Sequence, residues 1–298
     1  MKGVYGLSVR NTMRDYLIIT DSSSDLTAEQ IQELGIASIP LEIIVDGTPI
    51  DNDKVDVKEV YAQLRAKKTI TTSAATIQRF TDFFEAVLEN DVDILYLGFT
   101  SGLSSTFSSG AIALKNLQEK YPDRKLYAVD TLCASLGQGL LVYLACKEKE
   151  KGKTIEEVRD WTEANKLNLA HWFTVDDLFF LKRGGRVSAT SAVVGTMLSI
   201  KPVMHVDNAG KLLPMDKVRG RKTSIDALFT KMKNSTINPV DSPVFISHGD
   251  CIEDANYLAE KVQAEWNVSK IVINYIGPVI GSHSGPGTLA LFFLASER

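Results

Sequence analysis

The run VDILYLGF at Val92–Phe99, followed by TSGLSSTFSSG at residues 100–110, decides how the chain folds. The first piece is nearly all apolar, as expected of a strand covered on both faces. The hydroxyl-rich stretch after it leads into a helix. The same alternation repeats downstream: Lys125–Asp130 reads as a strand, Ala134–Glu150 as a helix, and Thr154 with Glu157 caps the next helix. Upstream, Tyr16–Thr20 (YLIIT) is a strand that stops at DSSSD, and Thr27 with Gln30 forms a capping box for a helix ending at Gly35. Ile36–Val45 is strand-like but interrupted at Pro40, and Asp46-Gly47 makes a turn, which suits an edge strand or arm. Val57–Lys67 and Ile77–Leu88 carry apolar residues at helical spacing. Strands alternating with helices imply an α/β unit with a parallel sheet and helices on both sides.

The second half changes character. KPVMHVD and KLLPMDKVR flank Asn208-Ala209-Gly210, where a hairpin would need its turn. A helix near Thr223–Lys233, a strand at Val244–Ser247, a helix over Glu253–Trp266 and a strand at Lys270–Ile276 follow. The mixture predicts an α+β domain. The expected division is an extension over residues 1–15, an α/β domain over 16–170 and an α+β domain over 171–298, with the border near Asn168 to Asp176.

With 298 residues, 44% of them hydrophobic, the chain can bury a large core with room for a cavity. A formal net charge of −4 supplies no basic field to attract nucleic acid. Cys133, Cys146 and Cys251 are scattered, without a C-x-x-C pair, so neither a disulfide framework nor a zinc knuckle is expected, and the chain reads as reduced and cytoplasmic. The opening residues lack a signal peptide's apolar stretch, and no segment is apolar for long enough to insert stably in a membrane.

Three hydroxyl clusters fall where α/β proteins place their sites: Asp21–Ser24, Thr71-Thr72-Ser73 and Thr100–Thr106, the last including Ser101 and Ser104. Helix capping accounts for such residues, Ser73 and Ser104 above all, yet a helix start also favours a carboxylate or phosphate. A fourth cluster, Gly277–Gly287, reads as a glycine- and proline-rich loop around His283, which is open to three roles: donor to a carboxylate, base, or partner of a backbone carbonyl. His171, His205 and His248 lie in strand-like runs and are taken as structural. Leu181–Ser188 packs Lys182, Arg183 and Arg186 around a glycine pair, suiting either a solvated turn or a contact with anionic oxygens. The nucleophile elbow G-x-S-x-G is absent, as are nucleotide loops, H-E-x-x-H and clustered carboxylates, so no catalytic group, metal or cofactor is expected.

Eight stretches in order resemble the DegV family: ITDSSSDL from residue 19, TTS at 71–73, SGLSSTF at 101–107, VDTLCASLGQGLL at 129–141, LFFLKRGGRVS, IKPVMHVD, HGD at 248–250 and IGPVIGSHSGPGT. The resemblance implies a Rossmann-like N-terminal domain, an α+β C-terminal domain and a lipid tunnel between or beside them. It also implies one long-chain fatty acid as ligand, with a separate fatty acid kinase as the partner of some members. Carried over motif by motif, Thr72, Ser104 and His283 are the carboxylate's donors, with Ser73 and Ser101 as neighbours, and Arg183 and Arg186 face a partner kinase or the acyl-phosphate product. The chain departs from the pattern at Ala74-Ala75, Ser105 and Phe107, none of which removes a donor. Two other functions are compatible with the residues: a serine esterase or acyltransferase with Ser104 as nucleophile and His283 as base, and an interaction protein in which lipid is a structural plug.

Overall fold

The computed structural model describes residues 15–188 and 199–298; apart from Asp15, the expected N-terminal extension lies outside the described residues. The described residues build three sheets. The first has order β2 (Ala37–Ile39), β1 (Tyr16–Asp21), β6 (Asp93–Gly98), β7 (Leu126–Asp130), all parallel. Every residue of β6 is buried, as its unbroken apolar run requires. Helices α4 (Thr106–Lys120), α5 (Leu136–Glu150) and α6 (Ile155–Asn165) follow its strands. Helix α1 (Ala28–Glu33) opens on the Thr27/Gln30 capping box, and α6 on the Thr154/Glu157 box.

The arm after Pro40 is more than an edge. It forms an antiparallel three-stranded sheet, β4 (Thr48–Asp51), β3 (Glu42–Val45), β5 (Ile70–Ser73), turned at Asp46 and Gly47, both at positive φ. Helix α2 (Val57–Arg65) connects it, and α3 (Ile77–Leu88) pins it through Arg79, which pairs with both Glu42 and Asp51.

The third sheet runs β10 (Leu212–Arg219), β9 (Ile200–Val206), β8 (Leu169–Thr174), β13 (Leu289–Leu294), β11 (Val244–His248), β12 (Ile271–Tyr275), with β11–β12 its parallel pair. The expected hairpin is β9–β10. Strand β8, at the centre, is the strand-like run that holds His171; β13 beside it escaped the reading of the sequence, because a short unbroken apolar run such as LALFFL has no period that separates strand from buried helix. Since β8 starts at Leu169, a boundary at residue 170 would cut it.

Helices α8 (Arg221–Ser235) and α9 (Ile252–Trp266) cover one face of this sheet. Helix α5 covers the other: its Leu136, Leu140 and Leu141 join the sheet's apolar cluster, while Val142, Ala145 and Cys146 join that of the first sheet. A helix apolar on opposite sides is buried between layers, and α5 joins the two sheets in this way. Two short α-helices complete the described residues, α7 (Phe179–Arg183) and α10 (Pro278–Ser284). The second corrects the expectation of a loop around His283. Pro278 occupies the first helical turn, where its missing N–H is harmless, and Gly281 admits the Tyr61 hydroxyl, which a Cβ would meet at 2.4 Å.

Candidate functional site

The three sheets meet around a cavity of about 330 Å³, within the range of small-molecule sites. Sequence-distant elements supply its polar end. Thr72 lies on β5, His283 on α10, and their side chains meet at 2.8 Å between Thr72 Oγ1 and His283 Nε2. Ser104, Ser105 and Thr106 line the wall at the start of α4. Ser104 Oγ accepts the Thr106 N–H at 3.2 Å and lies 2.9 Å from Thr106 Oγ1, so Ser104 does satisfy a helix-end donor, although Ser105 is the N-cap. The positive end of a fifteen-residue helix therefore borders the cavity.

Ser73 also lines the cavity, but it is not a cap. Its hydroxyl donates to Glu42 at 3.0 Å, and α3 is capped instead by Thr76. Ser101 is exposed and outside the lining; its backbone N–H is held by Asp130 at 3.2 Å. The structure thus brings together Thr72, Ser73, Ser104, Arg186 and His283, and leaves Ser101 and Arg183 aside.

The KRGGR turn after α7 holds the imidazole in place. A Cβ on Gly184 would stand 2.3 Å from His283 Nδ1, and Gly185 has φ +72°. The glycine pair is therefore required by a close approach and by a left-handed backbone. Arg186 is half-buried, which pulls its pKa below the ordinary value, and its guanidinium donates to the Gly184 carbonyl. Arg183 stacks over Phe180, 5.0 Å from the ring centroid. Burial, reinforced by the Arg186 and Arg183 charges, pushes the pKa of His283 down to about 4. The imidazole is neutral near pH 7 and offers one N–H beside a hydroxyl and a half-buried guanidinium. A carboxylate accepts hydrogen bonds only, so this is a chemically matched receptor for one.

Two further hydroxyls in the lining, Ser23 and Ser284, are buried and have no hydrogen-bond partner for Oγ among the described residues. Ser284 was hidden in a stretch read as loop; its place beside His283 in GSHSG was the available signal. His171, read as structural, also belongs to the cavity wall, among Phe173, Ala290 and Phe292 on the third sheet. The carboxylates of DSSSD, by contrast, hold the architecture. Asp21 accepts from the Tyr96 hydroxyl and the Phe99 N–H, each at 2.9 Å. Asp25 accepts the Gly277 N–H at 2.9 Å and the Ser135 hydroxyl, and burial raises its pKa to about 7. Asp25 thereby ties the first sheet's loop to the segment that enters α10. Among the described residues no group of three His, Cys, Asp or Glu is placed to hold a metal, and no helix is long and apolar enough to cross a membrane.

The chain is 45% identical over 289 residues to a DegV domain-containing protein of Clostridium perfringens, covering 96% of this chain and 99% of the relative. Its fold superposes on that of a DegV lipid-binding protein of Thermotoga maritima with a TM-score of 0.85, at 29% identity, covering 95% of this chain and 99% of that one. A DegV protein of Thermus thermophilus, described for its fatty acid binding, matches with a TM-score of 0.85 at 28% identity, covering 95% and 100%. The family model for uncharacterised DegV proteins matches residues 16–296, and with the parallel sheet, the mixed sheet and the relatives' near-complete coverage this chain belongs to the DegV family.

Proposed function

We propose that the protein binds one long-chain fatty acid in this cavity, with the carboxylate held by Thr72, Ser104 and His283 and the acyl chain lying against the apolar wall. The observation that carries the proposal is the Thr72–His283 contact, which joins residues 211 positions apart at the polar end of a cavity in a chain similar to fatty-acid-binding proteins. Burial of an acyl chain gains roughly 0.8 kcal/mol per methylene, so about fifteen of them give a gross term near 12 kcal/mol before ordering losses. Donors at the polar end remove the several kcal/mol that burying a bare carboxylate would cost. Tight binding therefore needs no catalytic group, and the proposed role is to present the acid to a separate kinase, with Arg186 and Arg183 on the side of the acyl-phosphate. In this reading two units, divided ahead of β8, meet around the ligand.

The serine-enzyme alternative finds less support. Ser104 Oγ is bonded to Thr106, and the imidazole of His283 to Thr72, so nucleophile and base are engaged with other partners. Mass spectrometry of lipid extracted from purified protein tests the proposal. A stoichiometric long-chain fatty acid, depleted in Ser104→Ala and His283→Ala, is the expected result. A lipid-free protein that takes up neither oleate nor palmitate, but whose Ser104 reacts with a fluorophosphonate, would place the serine enzyme first.

A further inference from the structure

His171 stands on β8, opposite Phe292 of β13, with 1% of its surface exposed. Side chains alternate along a strand, so His171 shares the cavity-facing side with Phe173. Its Nδ1 lies 3.0 Å from the Leu169 carbonyl oxygen, which can only accept, so the Nδ1 position carries the proton. Burial, together with the charge of Arg298, holds the imidazole well below its ordinary pKa, and it is neutral. Nε2 is then a bare lone pair, buried and without a partner among the described residues. A Cβ at position 137 would stand 2.1 Å from it, and glycine is found there inside α5 despite its cost to a helix.

A plain fatty acid cannot satisfy this atom. Its carboxylate is an acceptor, and its chain has no donor. We propose that Nε2 of His171 accepts a hydrogen bond from a hydroxyl carried on the acyl chain, so that the cavity takes hydroxylated long-chain acids more tightly than their unsubstituted parents. The proposal rests on reading the cavity as a fatty acid site. It also places the hydroxyl. Thr288 is fastened to the end of α10 through the Ser284 and Gly285 carbonyls, at 2.9 and 2.8 Å. Phe292 lies four residues further along the chain, roughly 13 Å at the rise of a strand. The hydroxyl therefore belongs far from the carboxylate.

Delipidated full-length protein is titrated with palmitate, α-hydroxypalmitate, ω-hydroxypalmitate, stearate and a mid-chain hydroxystearate. The expected result is that the mid-chain or the ω-hydroxy acid binds about fivefold tighter than its parent, the yield of one net hydrogen bond, while the α-hydroxy acid gains nothing. In His171→Leu the ratio to the parent falls to one. A readout that needs no variant is the nitrogen-15 resonance of Nε2, which moves on adding the favoured hydroxy acid and stays in place with palmitate. No gain for either distal hydroxyl, a gain that survives in His171→Leu, or an unmoved Nε2 resonance overturns the proposal. If palmitate binds the wild type in any of those cases, the fatty acid reading stands and this inference alone falls; if no acid binds, both fall.

Discussion

At one end of the cavity His283 sits on a short helix, between a threonine hydroxyl and the glycine turn that carries Arg183 and Arg186. In the third-sheet wall His171 sits mid-strand, edge-on to Phe292 with ring centroids 5.2 Å apart, and against Gly137. His171 is fully buried and His283 largely so, and both are held neutral. What separates them is the partner each ring holds: His283 Nε2 meets the Thr72 hydroxyl, which can donate or accept, whereas His171 Nδ1 meets a backbone carbonyl, which only accepts, and leaves Nε2 without a partner among the described residues. One site collects donors where the carboxylate is proposed to lie, and the other keeps a single acceptor in apolar surroundings. Burial alone therefore says little about a histidine's role; the hydrogen-bond complement decides it.

The largest expected effect comes from breaking the donor end. His283→Ala should weaken fatty acid binding by about 2 kcal/mol, the loss of one hydrogen bond to a charged group, or about thirtyfold. Calorimetric titration with palmitate measures it, and an unchanged affinity would remove the imidazole from the proposed carboxylate site.

The two glycines that admit the imidazoles sharpen the contrast. Gly184→Ala and Gly137→Ala each force a Cβ into a ring, and overpacking of this kind costs about 1–3 kcal/mol of stability. Urea midpoints should fall in both. The fall should be smaller at Gly137 than the clash alone implies, because alanine favours the helix by up to about 1 kcal/mol. Palmitate affinity should drop more in Gly184→Ala, since that change displaces the group proposed to hold the carboxylate.

pH separates the donor end from its structural support. His283 is pushed down to about 4, so its share of stability is present above its ordinary value near 6.5 and is lost as pH falls from there toward 4. Asp25 is pushed up to about 7, so its share is present below its ordinary value near 3.8 and is lost as pH rises through 7. Between those limits the two slopes oppose each other, each by at most about 1.4 kcal/mol per pH unit. Asp25→Asn should remove one of the slopes that oppose that of His283, burial-raised Asp21 supplying another of the same sign, so that stability rises more steeply than in the wild type between about pH 4 and pH 7. Parallel curves for the two proteins would show that Asp25 does not titrate in this window. The smallest effect is expected at Ser101, exposed and outside the lining: Ser101→Ala should change affinity and stability by less than about 0.5 kcal/mol.

Much of the first sheet was legible because its signals are local. The Thr27/Gln30 and Thr154/Glu157 capping boxes and the buried run of β6 each lie within a dozen residues of sequence, and in the third sheet the hairpin over Ile200–Arg219 is local too; each forms as the pattern requires. The candidate site was legible in part. Thr72, Ser104, Arg186 and His283 stood out as polar groups in punctuated stretches, and all four line the cavity. Ser101 stood out for the same reason and lies outside. His171 did not stand out, because in sequence it is one polar residue in an apolar strand, which is also how a satisfied structural histidine looks.

The sequence by itself determined the alternation of strands and helices, the capped helix starts, the hairpin and the inventory of hydroxyls, imidazoles and guanidiniums. Only the tertiary structure decided which of those groups share a cavity, that GPVIGSHS coils into a helix, that Asp25 is an architectural acid, and that one imidazole meets a hydroxyl while the other meets a backbone carbonyl. The physical reason is range. Backbone propensity and capping act over a few residues, whereas a hydrogen-bond partner, a tautomer and a depressed pKa are set by groups such as Thr72 and His283, 211 positions apart, that only packing brings within 2.8 Å.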